Sequence, residues 1–480
     1  MDIKQFILLN VLYYWASSTA LSLGVGYYTI YRPIIAGCLT GLILGEPFTG
    51  MMAGAVVNII YIDFVSTGGS FKGDQCLTAM IAALMAVLMG LSPVEASAAA
   101  YPFGFLGILI WKYRLNINSV FVKKYEEKFT DGTNPSIGIY DGLLPQLLLF
   151  FMSTAVIIVA VFAALFLRKF IINIRYMLFL SGLFLVFSSA CDILYKIRSK
   201  KSFLIFLMFL IITLLANPSS YIIFIIAAAI IFLLSNKKMP LKSVKAYDKN
   251  GKIRKMDLIY SWFVWMNFSH SCYSFERLQG MAFAHSMRNI FKRLYTDEEE
   301  TARAIHRHSE FFNTEPNMGT PIHGYIISME ESKQENIIAD EIMSIKKGMM
   351  GIAAGLGDSY TQVVLTPLFI SISVMLCLDN KFIMSLVPVV ILASVILIIS
   401  FTGFMKGYYE GRDSLIERIS IVKNSRLKTY FPYIFAGILG VSLGKLLILL
   451  LSSISEDLTI YMAVGIISIV YTMIKIRRRN

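Results

Sequence analysis

The chain has 480 residues, of which 56% are hydrophobic and 16% are charged, and its formal net charge is +13. Soluble domains carry about 45–50% apolar and about 25% charged residues, so this composition excludes an ordinary soluble protein. The basic residues lie mainly between apolar runs, which is typical of membrane topology and not of nucleic-acid binding.

Long uncharged runs occupy the first half of the chain. Residues Gly142 to Phe166 contain no charged side chain, and about 20 such residues span a bilayer. We interpret residues 6–30 as a retained membrane segment, because no small-residue cleavage site precedes a polar sequence. The predicted apolar segments of this half lie near residues 6–30, 33–62, 75–111, 142–167, 174–194, 203–216 and 219–235.

A basic segment, residues 236–255, divides the chain into a first part, residues 1–235, and a second part, residues 256–480. It holds eight basic residues against one acidic residue, Asp248. The excess of Lys and Arg predicts that this linker is cytoplasmic.

The second part has a different pattern. Residues 256–348 are periodic and rich in charge, which predicts amphipathic helices. Thr296 and Glu299 have the spacing of a capping box at the start of one of them. Strong apolar segments follow near residues 363–378, 382–403, 429–452 and 458–473. The predicted fold is an all-α polytopic membrane protein, with a multi-span first part and C-terminal membrane segments in the second.

The stretch from Arg32 to Gly54 carries glycines at intervals of four residues, at 37, 41 and 45 and again at 50 and 54. This spacing lets another helix approach closely. Glu46 and Pro47 interrupt the apolar run, which predicts a re-entrant hairpin whose backbone lines a cavity. A tight loop between two ordinary spans is an equally good interpretation.

Polar side chains follow directly on this stretch. Asn58, Asp63 and Asp74 are bordered by apolar sequence, and Ser66 and Thr67 lie in a glycine-rich segment between them. A carboxylate at membrane depth is costly, so it usually faces a pathway. Because carboxylate and amide groups bind hydroxyls, we predict contacts to a polyhydroxylated ligand. A solvated loop at the membrane interface is the alternative.

The second part carries three further polar motifs. Glu276, Arg277 and Gln279 lie in apolar sequence, and the three-residue spacing of Glu276 and Gln279 puts them on one face of a helix; an internal ion pair is the alternative for this motif. His306 and His308 diverge on a helix and make a poor metal pair. Close approach is predicted at Gly351 and Gly355, followed by a break at Gly357 and Asp358, for which a helix cap is the alternative.

These motifs resemble the mannose–fructose–sorbose phosphotransferase permeases. Residues 1–235 look like the C unit of that family, through RPIIAGCLTGLILGEPFTG and the polar stretch from Gly54 to Asp74. Residues 256–480 look like its D unit, through SFERLQGMAFAHSM, IHRHSEFFNTEP and GMMGIAAGLGD. The units are usually separate chains. At Asn58, Ser359 and Thr366 this sequence departs from the pattern of the family. These departures affect the expected substrate more than the expected fold.

The resemblance implies a sugar-conducting permease of the bacterial cytoplasmic membrane. A hexose or amino sugar would bind and be delivered to a phosphorylated soluble B subunit, itself charged through an A subunit. The resemblance implies homotrimers in lipid, no cofactor, no metal and no catalytic residue in this chain. The candidate substrate contacts are Asn58, Asp63, Ser66, Thr67, Asp74, Glu276, Arg277, Gln279, Asn313 and Asp358.

Two other functions stay open. In an ion-coupled transporter of another small solute, Asp63 and Asp358 are the expected coupling sites. The third possibility is a receptor that does not transport. An ATP-driven pump is disfavoured, because no G-x-x-x-x-G-K-[ST] phosphate loop occurs in the chain.

Overall fold

A computed structural model describes residues 1–18, 20, 22–62, 73–197, 199–235, 251–332 and 339–453. Within these ranges the regular secondary structure is helical, which confirms the predicted all-α class. The helices of the first part are α1 (Ile3–Ser17), α2 (Pro33–Leu44), α3 (Pro47–Ile60), α4 (Gln75–Met89), α5 (Pro93–Ala100), α6 (Gly104–Thr130), α7 (Leu144–Phe166), α8 (Arg168–Asn173), α9 (Arg175–Ile197), α10 (Lys200–Ala216) and α11 (Ser220–Ser235). Those of the second part are α12 (Lys255–Phe268), α13 (Gly280–Leu294), α14 (Glu298–His308), α15 (Thr320–Ser332), α16 (Ala339–Gly357), α17 (Thr366–Leu378), α18 (Phe382–Glu410), α19 (Arg412–Lys423) and α20 (Arg426–Ser453).

Several helices begin where local chemistry favours a start. Pro33, Pro47 and Pro93 occupy the first positions of α2, α3 and α5, where the missing proline N–H is not needed. The predicted capping box at Thr296 is wrong. Asp297 caps α14 instead, because its carboxylate accepts from the amides of Glu299 and Glu300 and satisfies two free donors of the first turn.

Helices α2 and α3 form the hairpin suggested by the glycine spacing. A side chain at Gly37 or Gly41 would collide with the backbone of α3, and one at Gly50 or Gly54 with the backbone of α2. Gly45 ends α2 at a φ of 95°, a left-handed conformation that glycine adopts without strain. With 12 and 14 residues, the helices are about 18 and 21 Å long, too short to cross a hydrocarbon core of about 30 Å.

Six helical stretches of the described residues are long and apolar enough to cross a membrane. They are Pro93–Thr130, Gly138–Phe166, Arg175–Ile197, Ala339–Leu378, Phe382–Glu410 and Arg412–Ser452. The predicted segment 6–30 is not one span, because α1 ends at Ser17. Predicted segment 458–473 lies outside the described residues.

The two parts pack against each other through apolar helices and share one hydrophobic core. Helix α17 lies against α3, and α20 lies against α10. Gly440 and Gly444 let α20 approach the backbone of α10 closely. At one end of this contact, the Lys445 ammonium pairs with Oδ1 of Asp379, also in the second part, at 2.7 Å. It also donates to Oδ1 of Asn217 in the first part at 2.7 Å, so this hydrogen bond joins the parts.

A second core lies within the second part, around the aromatic side chains of Trp265, Phe283, Phe291 and Phe312. It packs α12, α13 and α15 together and holds the segments between these helices in place.

Two predictions from the sequence for residues 351–358 are wrong. Gly351 and Gly355 have open space beside them among the described residues. No break occurs at Asp358, because residues Asp358–Leu365 continue α16 as a π-helix.

Candidate functional site

A cavity of about 170 Å³ lies where the two parts of the chain meet, and we call it the central cavity. The first part contributes the segment after α1 and the middle of α6. The second part contributes the turn between α12 and α13, the segment between α14 and α15, and the junction of α16 with its π-helix. The polar side chains of its wall are Ser17, Ser18, Tyr27, Tyr28, Tyr31, Arg114, Ser269, His270, Tyr273, Gln279, Asn313, Thr314, Glu315, Asn317, Asp358 and Gln362.

Glu315 anchors the wall between α14 and α15. Its side chain is buried, and Oε1 accepts from the Tyr28 hydroxyl at 3.0 Å and from Nδ2 of Asn317 at 3.0 Å. Oε2 accepts from the amides of Asn317 at 3.1 Å and Met318 at 2.6 Å. Burial raises the pKa of Glu315, and these hydrogen bonds oppose that rise. With four bonds made, Glu315 positions its neighbours more than it offers lone pairs to a ligand.

Gln279 and Thr314 are paired across the cavity wall. Nε2 of Gln279 donates to the Thr314 carbonyl at 3.0 Å, and its Oε1 accepts from the Thr314 amide at 2.9 Å. These bonds fix the turn that begins α13 against the segment carrying Asn313. The Tyr273 hydroxyl lies 3.3 Å from Oδ1 of Asn313. Burial and the neighbouring Arg114 lower the pKa of His270 to about 4, so His270 lines the cavity as a neutral ring at physiological pH.

Asp358 and Gln362 face the cavity from the π-helix that follows α16. A π-helical turn re-aims side chains within a helix and is frequent at functional sites. Nε2 of Gln362 donates to Oδ1 of Asp358 at 3.1 Å. Oε1 of Gln362 is buried and has no partner among the described residues. One polar atom of this pair is therefore available to a ligand.

Arg114 of α6 holds the opposite wall. One terminal nitrogen donates to the carbonyls of His270 at 2.6 Å and Ser271 at 2.7 Å. Asn118, one helical turn further along α6, donates to the carbonyl of Tyr273 at 2.9 Å. The backbone between α12 and α13 is thus fixed by side chains from the first part, so the cavity wall depends on contact between the parts.

Of the five predicted substrate contacts in the second part, three line the central cavity and two do not. Gln279, Asn313 and Asp358 line the central cavity. Glu276 and Arg277 do not: Glu276 accepts from the Ser119 hydroxyl at 2.5 Å, and Arg277 forms an ion pair with Glu126. The predicted common helical face of Glu276 and Gln279 is wrong, because residues 274–279 form a tight turn with backbone bridges before α13. The alternative interpretation, an ion pair, applies to Arg277.

The predicted substrate contacts of the first part also lie in different places. Asn58 lines a smaller cavity beside the central one. Asp74 lines neither cavity. It caps α4 by accepting from the Leu77 amide at 2.9 Å, and it accepts from the Tyr13 hydroxyl at 2.8 Å. The predicted contacts Asp63, Ser66 and Thr67 lie outside the described residues.

Several residues of the cavity were not predicted from the sequence, namely Tyr28, Trp111, Arg114, His270, Glu315 and Gln362. Glu315 lies two positions after Asn313 inside a motif that was recognised, so its position in that motif was an available signal. Arg114 and Trp111 lie in a long helix with no distinguishing local pattern, and only the contact between the parts brings them to the site.

The chemistry of the central cavity suits a polar ligand rich in hydroxyl groups. Amide and carboxylate side chains supply both donors and acceptors, while Trp111 and Tyr273 supply aromatic surface. Convergent polar groups in a concave pocket are typical of small-molecule sites. No group of three or more His, Cys, Asp or Glu side chains in the described ranges has the arrangement of a metal site.

Comparison with known families assigns both parts. Residues 3–234 match the family model described as "PTS system sorbose-specific iic component". Residues 252–448 match the model described as "PTS system mannose/fructose/sorbose family IID component". The two models together match about nine tenths of the chain.

Individual relatives agree with these matches. The sorbose-specific EIID component of Lacticaseibacillus casei is 33% identical over 162 residues, which are 33% of this chain and 57% of the relative. The mannose-specific EIID component of Escherichia coli (strain K12) is 32% identical over 154 residues, 32% of this chain and 54% of the relative. The sorbose-specific EIIC component of Lacticaseibacillus casei is 25% identical over 97 residues, 20% of this chain and 35% of the relative. The chain spans little more than half the length of these EIID relatives and about a third of the EIIC relative.

Among solved structures, the chain is similar to one described as "CryoEM Structure of Mannose Transporter ManYZ and Microcin E492 (MceA) complex". The identity is 25%, the coverage is 48% of this chain and 91% of the other, and the TM-score is 0.32. The family matches and the six apolar stretches identify a multi-pass protein of the bacterial inner membrane. The chain belongs to the mannose/fructose/sorbose family of phosphotransferase system permeases and contains a IIC-like part and a IID-like part in one polypeptide.

Proposed function

We propose that this chain is the sugar-translocating component of a phosphoenolpyruvate-dependent phosphotransferase system. Residues 1–235 and 256–480 act as fused C and D units joined by the cytoplasmic linker 236–255. A hexose or amino sugar binds in the central cavity and is delivered to a phosphorylated soluble B subunit, which an A subunit recharges. The chain binds and moves the sugar and does not carry the phosphoryl group.

The observation that carries this proposal is the position of the central cavity between the two parts. Its polar side chains come from both parts, with Arg114 and Tyr28 on one side and Gln279, Asn313 and Asp358 on the other. A site built at such a boundary changes its exposure when one part moves against the other, which is the requirement of alternating access.

The composition of the wall supports a neutral polyhydroxylated substrate. Asn313, Asp358 and Gln362 present amide and carboxylate groups from one side, and Trp111 presents an aromatic ring from another. One terminal guanidinium nitrogen of Arg114 donates to two backbone carbonyls, so this side chain holds the wall in place. Hydroxyl groups fit this mixture of donors and acceptors.

Uptake into membrane vesicles tests the proposal. Inverted and right-side-out vesicles holding the full chain are supplied with labelled mannose, glucose, fructose or sorbose, phosphoenolpyruvate, and a cytosolic extract containing the soluble phosphotransferase proteins. We expect labelled sugar phosphate to accumulate only when phosphoenolpyruvate is present. Accumulation of unmodified sugar driven by a proton or sodium gradient contradicts the proposal and favours ion coupling. Sugar binding without any transport favours a receptor.

We further propose that the permease is a homotrimer, as the family resemblance implies. Native mass spectrometry of the chain extracted in mild detergent tests this assembly. A mass of one or two chains under conditions that preserve sugar binding contradicts it.

A further inference from the structure

A second cavity of about 20 Å³ lies beside the central cavity, and we call it the side cavity. Arg32 lies just before α2, Asn58 near the end of α3 and Gln75 at the start of α4, so three helix ends of the first part surround it. Gln362 of the second part completes the polar wall. Tyr27 and Gln362 line both cavities, so the two spaces are neighbours that share these side chains.

Four residues that line the side cavity carry buried polar atoms without partners among the described residues. Nε of Arg32, Nδ2 of Asn58 and Nε2 of Gln75 are buried donors with no acceptor among the described residues, and Oε1 of Gln362 is a buried acceptor with no donor there. Arg32, Asn58 and Gln75 are only 7%, 5% and 2% exposed. Native proteins leave few buried polar groups unpaired. Four such atoms on residues that line one small space therefore point to a polar occupant.

The size of the side cavity and its mixture of donors and acceptors restrict which chemical group can occupy it. A space of about 20 Å³ holds one water-sized group and excludes an acetamido or phosphoryl substituent. A carbonyl oxygen only accepts hydrogen bonds, so it would leave Oε1 of Gln362 unpaired. A hydroxyl group both accepts and donates, and it can therefore bind the amide donors and Gln362 at the same time.

The position of Arg32 is fixed independently of any ligand. Its guanidinium carbon lies 4.4 Å from the centre of the Tyr27 ring, a cation–π geometry. Because Tyr27 also lines the central cavity, this contact holds a donor of the side cavity next to the place where the sugar is proposed to bind.

We propose that the side cavity binds one hydroxyl group of the sugar in the central cavity and thereby selects sugars that are unsubstituted at that position. This inference rests on the proposed function of the central cavity. It assigns a specificity role to Arg32, Gln75 and Gln362 together with Asn58. A substituent larger than a hydroxyl at the same carbon does not fit, and a missing hydroxyl leaves the amide donors unpaired.

Binding measurements on the purified full chain in lipid nanodiscs test this selection. Calorimetry with mannose, glucose, fructose and sorbose first identifies a sugar that binds, and the monodeoxy analogues of that sugar are then measured. We expect one deoxy analogue to bind the wild type at least about tenfold more weakly than its parent, because buried donors lose their partner. In the double variant Asn58→Leu with Gln75→Met, we expect parent and analogue to bind with equal affinity.

A matched control and a second variant secure the result. Ser371→Ala removes a buried, unpaired hydroxyl of α17 that lines neither cavity, and it is expected to keep the discrimination. If the double variant does not fold, Gln362→Met, at a partly exposed position, is expected to reduce the discrimination by itself. Thermal unfolding of the folded double variant is expected at the wild-type temperature or above, since apolar groups replace the unpaired donors of Asn58 and Gln75.

The outcomes separate the two proposals. If none of the four sugars binds the wild type, the proposed function fails. If a sugar binds but the variants keep the discrimination between parent and deoxy analogue, the side cavity holds only water and the inference is overturned, while the proposed function stands. A marked fall in the unfolding temperature of the folded double variant also overturns it, because the amides of Asn58 and Gln75 then serve the fold.

Discussion

The hydroxyl of Tyr28 donates a hydrogen bond of 3.0 Å to Oε1 of Glu315, across 287 positions of the chain. Tyr28 belongs to the IIC-like part and Glu315 to the IID-like part, and both side chains are buried. Because Glu315 also binds Asn317 and the Met318 amide, this bond ties the first part to the segment that carries Asn313. The geometry of the central cavity therefore depends on it.

Replacing Tyr28 by Phe tests this connection. The variant leaves Oε1 of Glu315 with one donor fewer, and we expect a loss of about 1–2 kcal/mol in the free energy of unfolding together with weaker sugar binding. Thermal unfolding and calorimetry in nanodiscs measure the two effects. Tyr176→Phe, at an exposed position of α9, is the control and is expected to change neither. An unchanged unfolding temperature for Tyr28→Phe contradicts the assignment.

Asp358 is predicted to contact the sugar. Asp358→Asn keeps the shape of the side chain but removes its charge and two acceptor sites, so we expect sugar affinity to fall by about tenfold or more. The control is Asp340→Asn in the first turn of the same helix, where the side chain is exposed. Equal affinities of the two variants would place Asp358 outside the binding site.

The sequence predicts that Asp74 contacts the sugar, whereas the structure places this side chain at the start of α4 as its cap. Because it caps α4 and accepts from Tyr13, Asp74→Ala is expected to lower the free energy of unfolding by at least about 1 kcal/mol while leaving the sugar dissociation constant unchanged. Calorimetry at a temperature where the variant is folded makes the comparison. A large loss of affinity in the folded variant would restore Asp74 as a substrate contact.

Acidification is expected to weaken the second part through Glu330. Burial by itself raises the pKa of Glu330, but hydrogen bonds and charges from His308 and Arg307 outweigh burial and lower it to about 2. A lowered carboxyl pKa adds stability above the unfolded value of about 4.3, and that stability is lost as the pH falls towards 2. Burial lowers the pKa of His308 to about 4, so its protonation in the unfolded chain acts in the same direction between about pH 6.5 and 4.

The variant Glu330→Gln measures this contribution. At pH 7 we expect it to cost about 3 kcal/mol, because the charge of Arg307 loses its partner in a buried pair. The difference from wild type should shrink as the pH falls below about 4.5, where the wild-type carboxylate begins to lose its advantage. Glu341→Gln, at an exposed position, is expected to show no such pH dependence. A pH-independent difference for Glu330→Gln would contradict the ion pair.

Local chemistry made much of the fold predictable. The uncharged run before Phe166 gave α7 almost at its observed bounds, and the glycine spacing from residue 37 to 54 predicted the contact between α2 and α3. Helix starts were less predictable, as Asp297 replaced Thr296 as the cap of α14. Neighbouring residues with similar capping ability compete, and the sequence alone does not rank them.

The sequence by itself determined the membrane class, the division into two parts and the interrupted α2–α3 hairpin. It also determined the polar motifs that hold Asn58, Gln279, Asn313 and Asp358. These follow from hydrophobicity and glycine spacing, which act over a few turns of one helix. Only the tertiary structure decided which polar groups meet. Arg114 reaches the site because α6 packs against the turn before α13, and Asp74 is drawn to Tyr13 instead. Such pairings depend on contacts between residues more than a hundred positions apart or on separate helices, and no local pattern encodes them.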